Sequence, residues 1–353
     1  MPRHAALKTH KHLFERVCAL ENILAASREA LRGGKRAKPP GARYFAELEK
    51  QAVQLRRELL EGTYRHGGYT YFTVHEPKER LVAAAAFRDR VVHHAIVRVL
   101  EPIFEGRFIE DSFACRKGKG THAALRRCAH FAQRHRYALK CDVARYFPSI
   151  DHGLLRGLLR RVIADARLLA VIDGILASHA DGVAQEWPGD DLLAVQLRPR
   201  GLPIGNLTSQ FFANIYLNVL DHFVKHTLRV RGYVRYVDDF ILFGDDRAQL
   251  RAHGHAIRRL LGGLRLRIHP DKYRLLPTRL GVDFVGFVSF ANGRRRVRTE
   301  NVRRFARKLR RLRWEARQGR RAWSEVTLRV RAWAAHAAHG QTLGLRGRLF
   351  AAR

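Results

Sequence analysis

Two adjacent aspartates, Asp238 and Asp239, interrupt a stretch that is otherwise apolar and β-forming. Tyr233-Val234-Arg235-Tyr236-Val237 precedes them and Phe240-Ile241-Leu242-Phe243 comes after. Such runs read as a hairpin with the acids at its bend. Two like charges there repel and desolvate each other, so the arrangement calls for a compensating cation. Mg²⁺ is the natural one, being hard and oxygen-seeking. The chain has two other such pairs, Asp190-Asp191 and Asp245-Asp246, but both sit in polar loop context and read as solvated acids or turn-formers. Asp142 is a second anomaly, because it ends the β-rich run Tyr137-Ala-Leu-Lys-Cys-Asp142-Val ahead of Phe147. If its strand lies beside the hairpin, three acids converge in the geometry of a two-metal phosphoryl-transfer site. Surface turns and a buried salt bridge remain open as alternatives on the residues alone.

Around these acids the pattern alternates helices with an antiparallel-looking sheet, which argues an α+β fold. Leu13, Val17, Leu20 and Leu24 predict one N-terminal helix ending near Gly33-Gly34. Residues 33–41 read as a basic linker with a double-Pro stop, and Phe45, Leu48, Leu55 and Leu59 predict a second helix. Residues 70–84 read as two strands about a turn at Glu76-Pro77. Helices are expected over 152–163, 211–224 and 247–262, a loop over 181–200, a turn at Pro270 and a strand at 282–288. The last 63 residues carry 19 Arg or Lys against three Glu, on helices built around Val302, Phe305, Leu309, Leu312 and Val326, Val330, Trp333.

Charge narrows the partners. Sixty-seven basic residues face 32 acidic ones, a formal net of +35, and 55 of the basic residues are Arg. Such an excess self-repels unless a polyanion neutralises it, and nucleic acid gains by counterion release. A hydrophobic fraction of 46% is enough for a substantial core and excludes a disordered basic tail. Cys18, Cys115, Cys128 and Cys141 form no CxxC pair and read as buried reduced thiols of a cytoplasmic protein. The charge-free stretch 201–220 is too polar and too broken for a membrane span, and no signal peptide is visible. Residues 116–125 fail as a P-loop, since Phe113 replaces the first Gly and Gly120 interrupts the last motif; a basic helix start gripping a phosphate fits better. His336 and His339 share a helix face but lack a third ligand.

Several motifs together carry a resemblance. Tyr236-Val237-Asp238-Asp239 resembles the YxDD box of reverse transcriptases, and residues 142–152 resemble their first catalytic motif. Residues 201–221, 269–272 and 281–287 look like the blocks around it, in the right order, and the likeness spans about residues 70 to 345. The resemblance implies a right-hand polymerase fold: an N-terminal helical extension over 1–68, fingers over 69–136, a palm over 137–290 that includes fingers and palm elements at 152–224, and a basic helical thumb over 291–353. It implies two Mg²⁺ ions, with Mn²⁺ as a substitute, held by Asp142, Asp238, Asp239 and the Val143 backbone. Lys272 would protonate the leaving pyrophosphate. Lys78, Arg80, Phe147, Ile204, Gly205 and Gln210 would bind the dNTP, Phe147 as a steric gate against a 2′-OH. Tyr236, Phe284, Gly286, Arg303, Arg307, Lys308 and Arg310 would contact primer and template.

Ile204 and Gln210 stand where most bacterial reverse transcriptases have Gln and Pro, a departure similar to the enzymes of diversity-generating retroelements. That likeness implies an RNA template, a DNA or RNA primer, dNTPs, errors opposite template adenines and a small basic accessory protein that forms an oligomer, in a bacterial or phage-encoded setting. A group II intron-like, retron or phage-defence reverse transcriptase is the nearer alternative, and a non-catalytic RNA-binding protein with the polymerase fold is the distant one. With the thumb expected to reach almost to residue 353, no RNase H, maturase extension or endonuclease is expected, which argues against a self-sufficient intron-encoded protein.

Overall fold

The structure, a computed structural model, describes residues 9–75, 79–179, 187 and 198–351. The chain divides into two compact units, one of Met1–Ile109, Val143–His222 and Arg258–Arg267, the other of Glu110–Asp142, Phe223–Ile257 and Ile268–Arg353.

In the first unit the expected N-terminal helix is two, Leu13–Cys18 and Leu20–Ala30. Ala19 takes an extended ψ of 132° and breaks the run, an interruption that apolar spacing cannot register. The side chain of Asp165 caps the start of the first of these two helices, accepting the Leu13 and Phe14 amides at 2.9 Å each while also capping its own helix through Leu168 N at 3.1 Å. The supposed linker is also structured. Pro39 does not stop a helix but starts one, Pro39–Ala46, because its fixed φ and missing N–H suit a first turn. Leu48–Leu60 is the next helix, and Phe45 is exposed on the preceding one.

These helices pack around Phe87–Glu105, whose Val91, Val92, Ala95, Ile96 and Leu100 are fully buried. The charge-free stretch supplies Leu207–His222, a largely buried helix on the same core. Strands β1 (Tyr69–Val74) and β2 (Arg80–Ala85) pair antiparallel; the expected turn at Glu76-Pro77 lies outside the described residues. Most of the expected 181–200 loop also lies outside the described residues. Among the described residues no helix is long and apolar enough to cross a membrane.

The second unit is built on a four-stranded antiparallel sheet, β3 (Tyr137–Asp142), β4 (Gly232–Tyr236), β5 (Asp239–Gly244) and β6 (Arg274–Pro277), in the order β4-β5-β3-β6. Ala138, Val234, Ile241 and Phe243 line one face and pack on Ala124, Cys128 and Phe131 of the helix Thr121–Arg134. The expected strand at 282–288 is instead a hairpin of β7 (Val282–Phe284) and β8 (Phe287–Ser289), joined by β9 (Arg295–Val297) into a second sheet. Val285 and Gly286 turn with φ of 43° and 87°, the twist a two-residue hairpin loop needs. Three helices close the chain, Thr299–Arg317, Trp323–Ala337 and Leu343–Phe350, with Phe305 stacked on Trp333 at 4.4 Å. Three of the four cysteines are buried; Cys115 is exposed, held in a turn with φ 54°.

Within the first unit Asp89, fully buried, accepts from Tyr64 Oη at 2.8 Å and Gly67 N at 3.0 Å, fixing the loop that leads into β1. Beside it His93 is 1% exposed and lies 3.2 Å from His66. Burial, then the neighbouring His66, His94 and Arg90, pull its pKa from 6.5 down to about 3. Between those values the unfolded chain binds a proton the folded chain refuses, so stability falls as pH drops below 6.5 and is fully present above it. Thermal melts from pH 7.5 to 5 should show this loss, and His93→Gln should flatten it; an unchanged slope would remove His93 from the account.

Candidate active site

Sheet register builds the site. β3 and β5 pair so that Asp142 stands opposite Asp239, and β4 closes on β5 with Tyr236 opposite Asp239. That leaves Val237 and Asp238 as the two-residue turn. Side chains alternate along a strand, so Ala138, Lys140 and Asp142 share one face. The face that begins apolar at Ala138 and Phe243 therefore ends in Lys140, Asp142 and Asp239.

Desolvation dominates the electrostatics here. Burial pushes the Asp239 carboxyl up from 3.8 to about 7; Lys140 opposes the shift, and the charges of Asp142 and Asp238 reinforce it. Its Oδ1 is buried without a hydrogen-bond partner. Lysines lie beside two of the acids. Lys272 Nζ lies 2.6 Å from Asp142 Oδ1, and Lys140 Nζ lies 3.4 Å from Asp239 Oδ2 while donating to the Asp283 carbonyl at 2.6 Å. The 270–272 turn is tied to the same strand end, His269 N donating to Asp142 O at 2.8 Å. An all-oxygen donor set with one unpartnered buried oxygen suits a hard divalent cation. As the side chains stand, no group of three or more His, Cys, Asp or Glu among the described residues closes to metal-holding geometry. Two ammonium groups hold part of the space around the acids. Val143, next after Asp142, is buried.

The residues expected around a nucleotide lie in the first unit, except Lys78, which falls outside the described residues. Arg80 opens β2 and is exposed; Phe147 is half-buried. Backbone hydrogen bonds tie this group together: Leu202 N donates to Phe147 O at 2.9 Å, and Ala83 N donates to Ile204 O at 2.9 Å. Asn206 Nδ2 adds a bond to Ala83 O at 3.0 Å. Gly205 has φ 115°, and a Cβ there would meet Val82 Cγ1 at 2.7 Å, so only glycine allows this approach to β2. Ile204 is half-buried and Gln210 exposed.

Of the expected primer-side residues, Tyr236 is half-buried and its hydroxyl pairs with Thr121 Oγ1 at 3.1 Å. Phe284 is fully buried in the sheet core, so its ring supports the strand and cannot itself lie against a primer. Gly286 turns the hairpin, its carbonyl accepting from Arg298 N at 3.0 Å. On Thr299–Arg317 the buried stripe is Phe305, Leu309, Leu312 and Ala316; Arg303, Arg307 and Arg310 are exposed and Lys308 is half-buried. His336 and His339 gain a neighbour in His122, but it stacks flat on His339 at 3.5 Å, directing the ring nitrogens along parallel planes and not toward one ion.

Two residues at the acids were not anticipated. Lys140 could have been found from strand periodicity, being two before Asp142. Arg235, 1% exposed, donates through Nη1 to the Val237 carbonyl at 2.9 Å. It carried no signal, since an Arg in so basic a chain is expected outside.

The chain is 28% identical over 323 residues to Protein YkfC of Escherichia coli (strain K12), covering 77% of this chain and 82% of that protein. It is 27% identical over 179 residues to the group II intron-encoded protein LtrA of Lactococcus lactis subsp. cremoris, covering 50% of this chain but 28% of LtrA. A solved telomerase of Candida albicans, in complex with a fragment of telomeric RNA, is similar with a TM-score of 0.48 at 14% identity, covering 72% of this chain and 49% of that one. The model of the family described as reverse transcriptase (RNA-dependent DNA polymerase) matches residues 75–289. The chain belongs to the reverse transcriptase family.

Proposed function

We propose that the protein copies an RNA template into DNA by nucleotidyl transfer at Asp142, Asp238 and Asp239. The observation that carries this reading is the register that sets Asp142 against Asp239 at the end of adjoining central strands, with Asp238 next in the turn. These carboxylates would hold two Mg²⁺ ions, which when bound lower the pKa of the attacking hydroxyl and offset charge on the phosphates. Lys272 would give a proton to the departing pyrophosphate, a role supported by its ion pair with Asp142 at 2.6 Å. Phe147, with Arg80 and Lys78, would bound the dNTP, and the exposed arginines of Thr299–Arg317 would track template and primer phosphates as a thumb.

For the subtype, Ile204 and Gln210 support an error-prone enzyme of a diversity-generating retroelement, working with a basic accessory protein. Because the backbone at 204 is tied to β2, its side chain has a set position, and an apolar Ile there removes a hydrogen bond that could check base pairing. The second reading, a group II intron-like reverse transcriptase, is favoured by the likeness to LtrA and to nuclear intron maturase 1 of Arabidopsis thaliana, 31% identical over 90 residues.

Asp239→Asn tests the site on two readouts. Folding raises this carboxyl's pKa from 3.8 to about 7, so its ionisation penalises the native state increasingly as pH rises through that window. The amide should raise Tm by roughly several degrees at pH 8 and by less at pH 5. It should also abolish dNTP incorporation on a primed RNA while leaving RNA binding intact; persistent incorporation would sink the assignment. Separately, Ile204→Gln should lower misincorporation opposite template adenines in sequenced extension products. An unchanged error spectrum favours the group II intron-like reading.

A further inference from the structure

We propose that Arg235, braced by Ser112, is a positioning residue that holds the strained Asp238 turn in its working shape; this rests on the polymerase reading above. The turn is unusual in its first residue. Val237 adopts φ 57°, in the left-handed region that a β-branched side chain strongly disfavours and that hairpin turns give to Gly or Asn. Such strain persists only where surrounding contacts over-determine it. Arg235 supplies the contact: its buried guanidinium donates to the Val237 carbonyl through Nη1 at 2.9 Å and to Ser112 Oγ through Nη2 at 3.0 Å.

The brace is itself anchored. Residues 111–113 run along β4, with Arg235 N donating to Asp111 O at 2.9 Å and Phe113 N donating to Arg235 O at 3.1 Å. The Asp111 carboxylate is 3% exposed and held at 2.6 Å each by Lys225 Nζ and Arg127 Nε. Arg116 Nη1 donates to the Ser112 carbonyl at 2.6 Å. Thr121, at the end of the same segment, bonds the Tyr236 hydroxyl. A continuous chain of hydrogen bonds therefore runs from the basic 116–120 loop through Ser112 and Arg235 to the peptide that carries Asp238. Burying a guanidinium is costly, and a core filler at this position would not need donors aimed at the one carbonyl inside the turn.

The test pairs brace and strain. Ser112→Ala and Arg235→Met are each made alone and on a Val237→Gly background, where the left-handed conformation costs little. Single-nucleotide addition should show Ser112→Ala lowering kcat about tenfold, with KM for dNTP and Kd for primer–template within about twofold of wild type. Amide hydrogen exchange of residues 237–239, measured without metal, should speed up about tenfold. On the Val237→Gly background the same substitution should cost almost nothing, because the brace no longer opposes strain. An equal loss on both backgrounds, or unchanged exchange, overturns the proposal, and the Ser112→Ala pair decides it whether or not Arg235→Met folds. A wild-type chain that incorporates no nucleotide would sink the polymerase reading instead, while the exchange measurement still judges the brace.

Discussion

The crowding of Asp142 and Asp239 on adjacent strands is the constraint around which the second unit is arranged. A carboxyl whose pKa is pushed to about 7 by burial is a standing cost to the fold. That cost persists only because paired strands on both sides of Asp239 fix its backbone. Lys140 and Lys272 offset the charge in part, each approaching a different acid. Repulsion stored in this way is what a bound cation would relieve.

The sheet manages the change from core to site with one device, strand alternation. The face that packs Ala138, Ile241 and Phe243 against Thr121–Arg134 carries Lys140, Asp142 and Asp239 a few residues further on. The rigid apolar end thus orients the acidic end without an intervening loop. The first unit applies the same economy to different residues. Its backbone pairs Phe147 with Leu202 and Ile204 with Ala83, so residues far apart in sequence hold fixed positions beside one hairpin.

Much of this was legible in the residues. Context separated Asp238-Asp239 from the two polar pairs, and the apolar runs predicted the hairpin. The misreadings have local causes. The Leu13–Leu24 spacing continues through Ala19, so periodicity could not show a break made by one extended backbone angle. Pro39-Pro40 has the same letters as a helix stop and a helix start, and only the helical run from Gly41 onward decides between them. Residues 282–288 look like a single apolar strand, yet Gly286 permits a turn. Phe284 matched a motif but is core. Lys140 was within reach of period-two counting, whereas Arg235 was not, since nothing local says that one arginine of 55 faces inward.

The sequence by itself determined the class of the fold; its net charge of +35 raised the expectation of a polyanionic partner, and its pattern singled out Asp142, Asp238 and Asp239 as candidates. These come from composition and from short-range patterns, which depend only on neighbours along the chain. Tertiary structure alone decided that Asp142 meets Asp239, that Lys272 and Lys140 each approach one of these two acids, and that Arg235 bonds both a turn carbonyl and the Ser112 hydroxyl. Strand register and burial set those relations. Both are properties of segments brought together from distant parts of the chain, and no local rule encodes which side chains will then share a face.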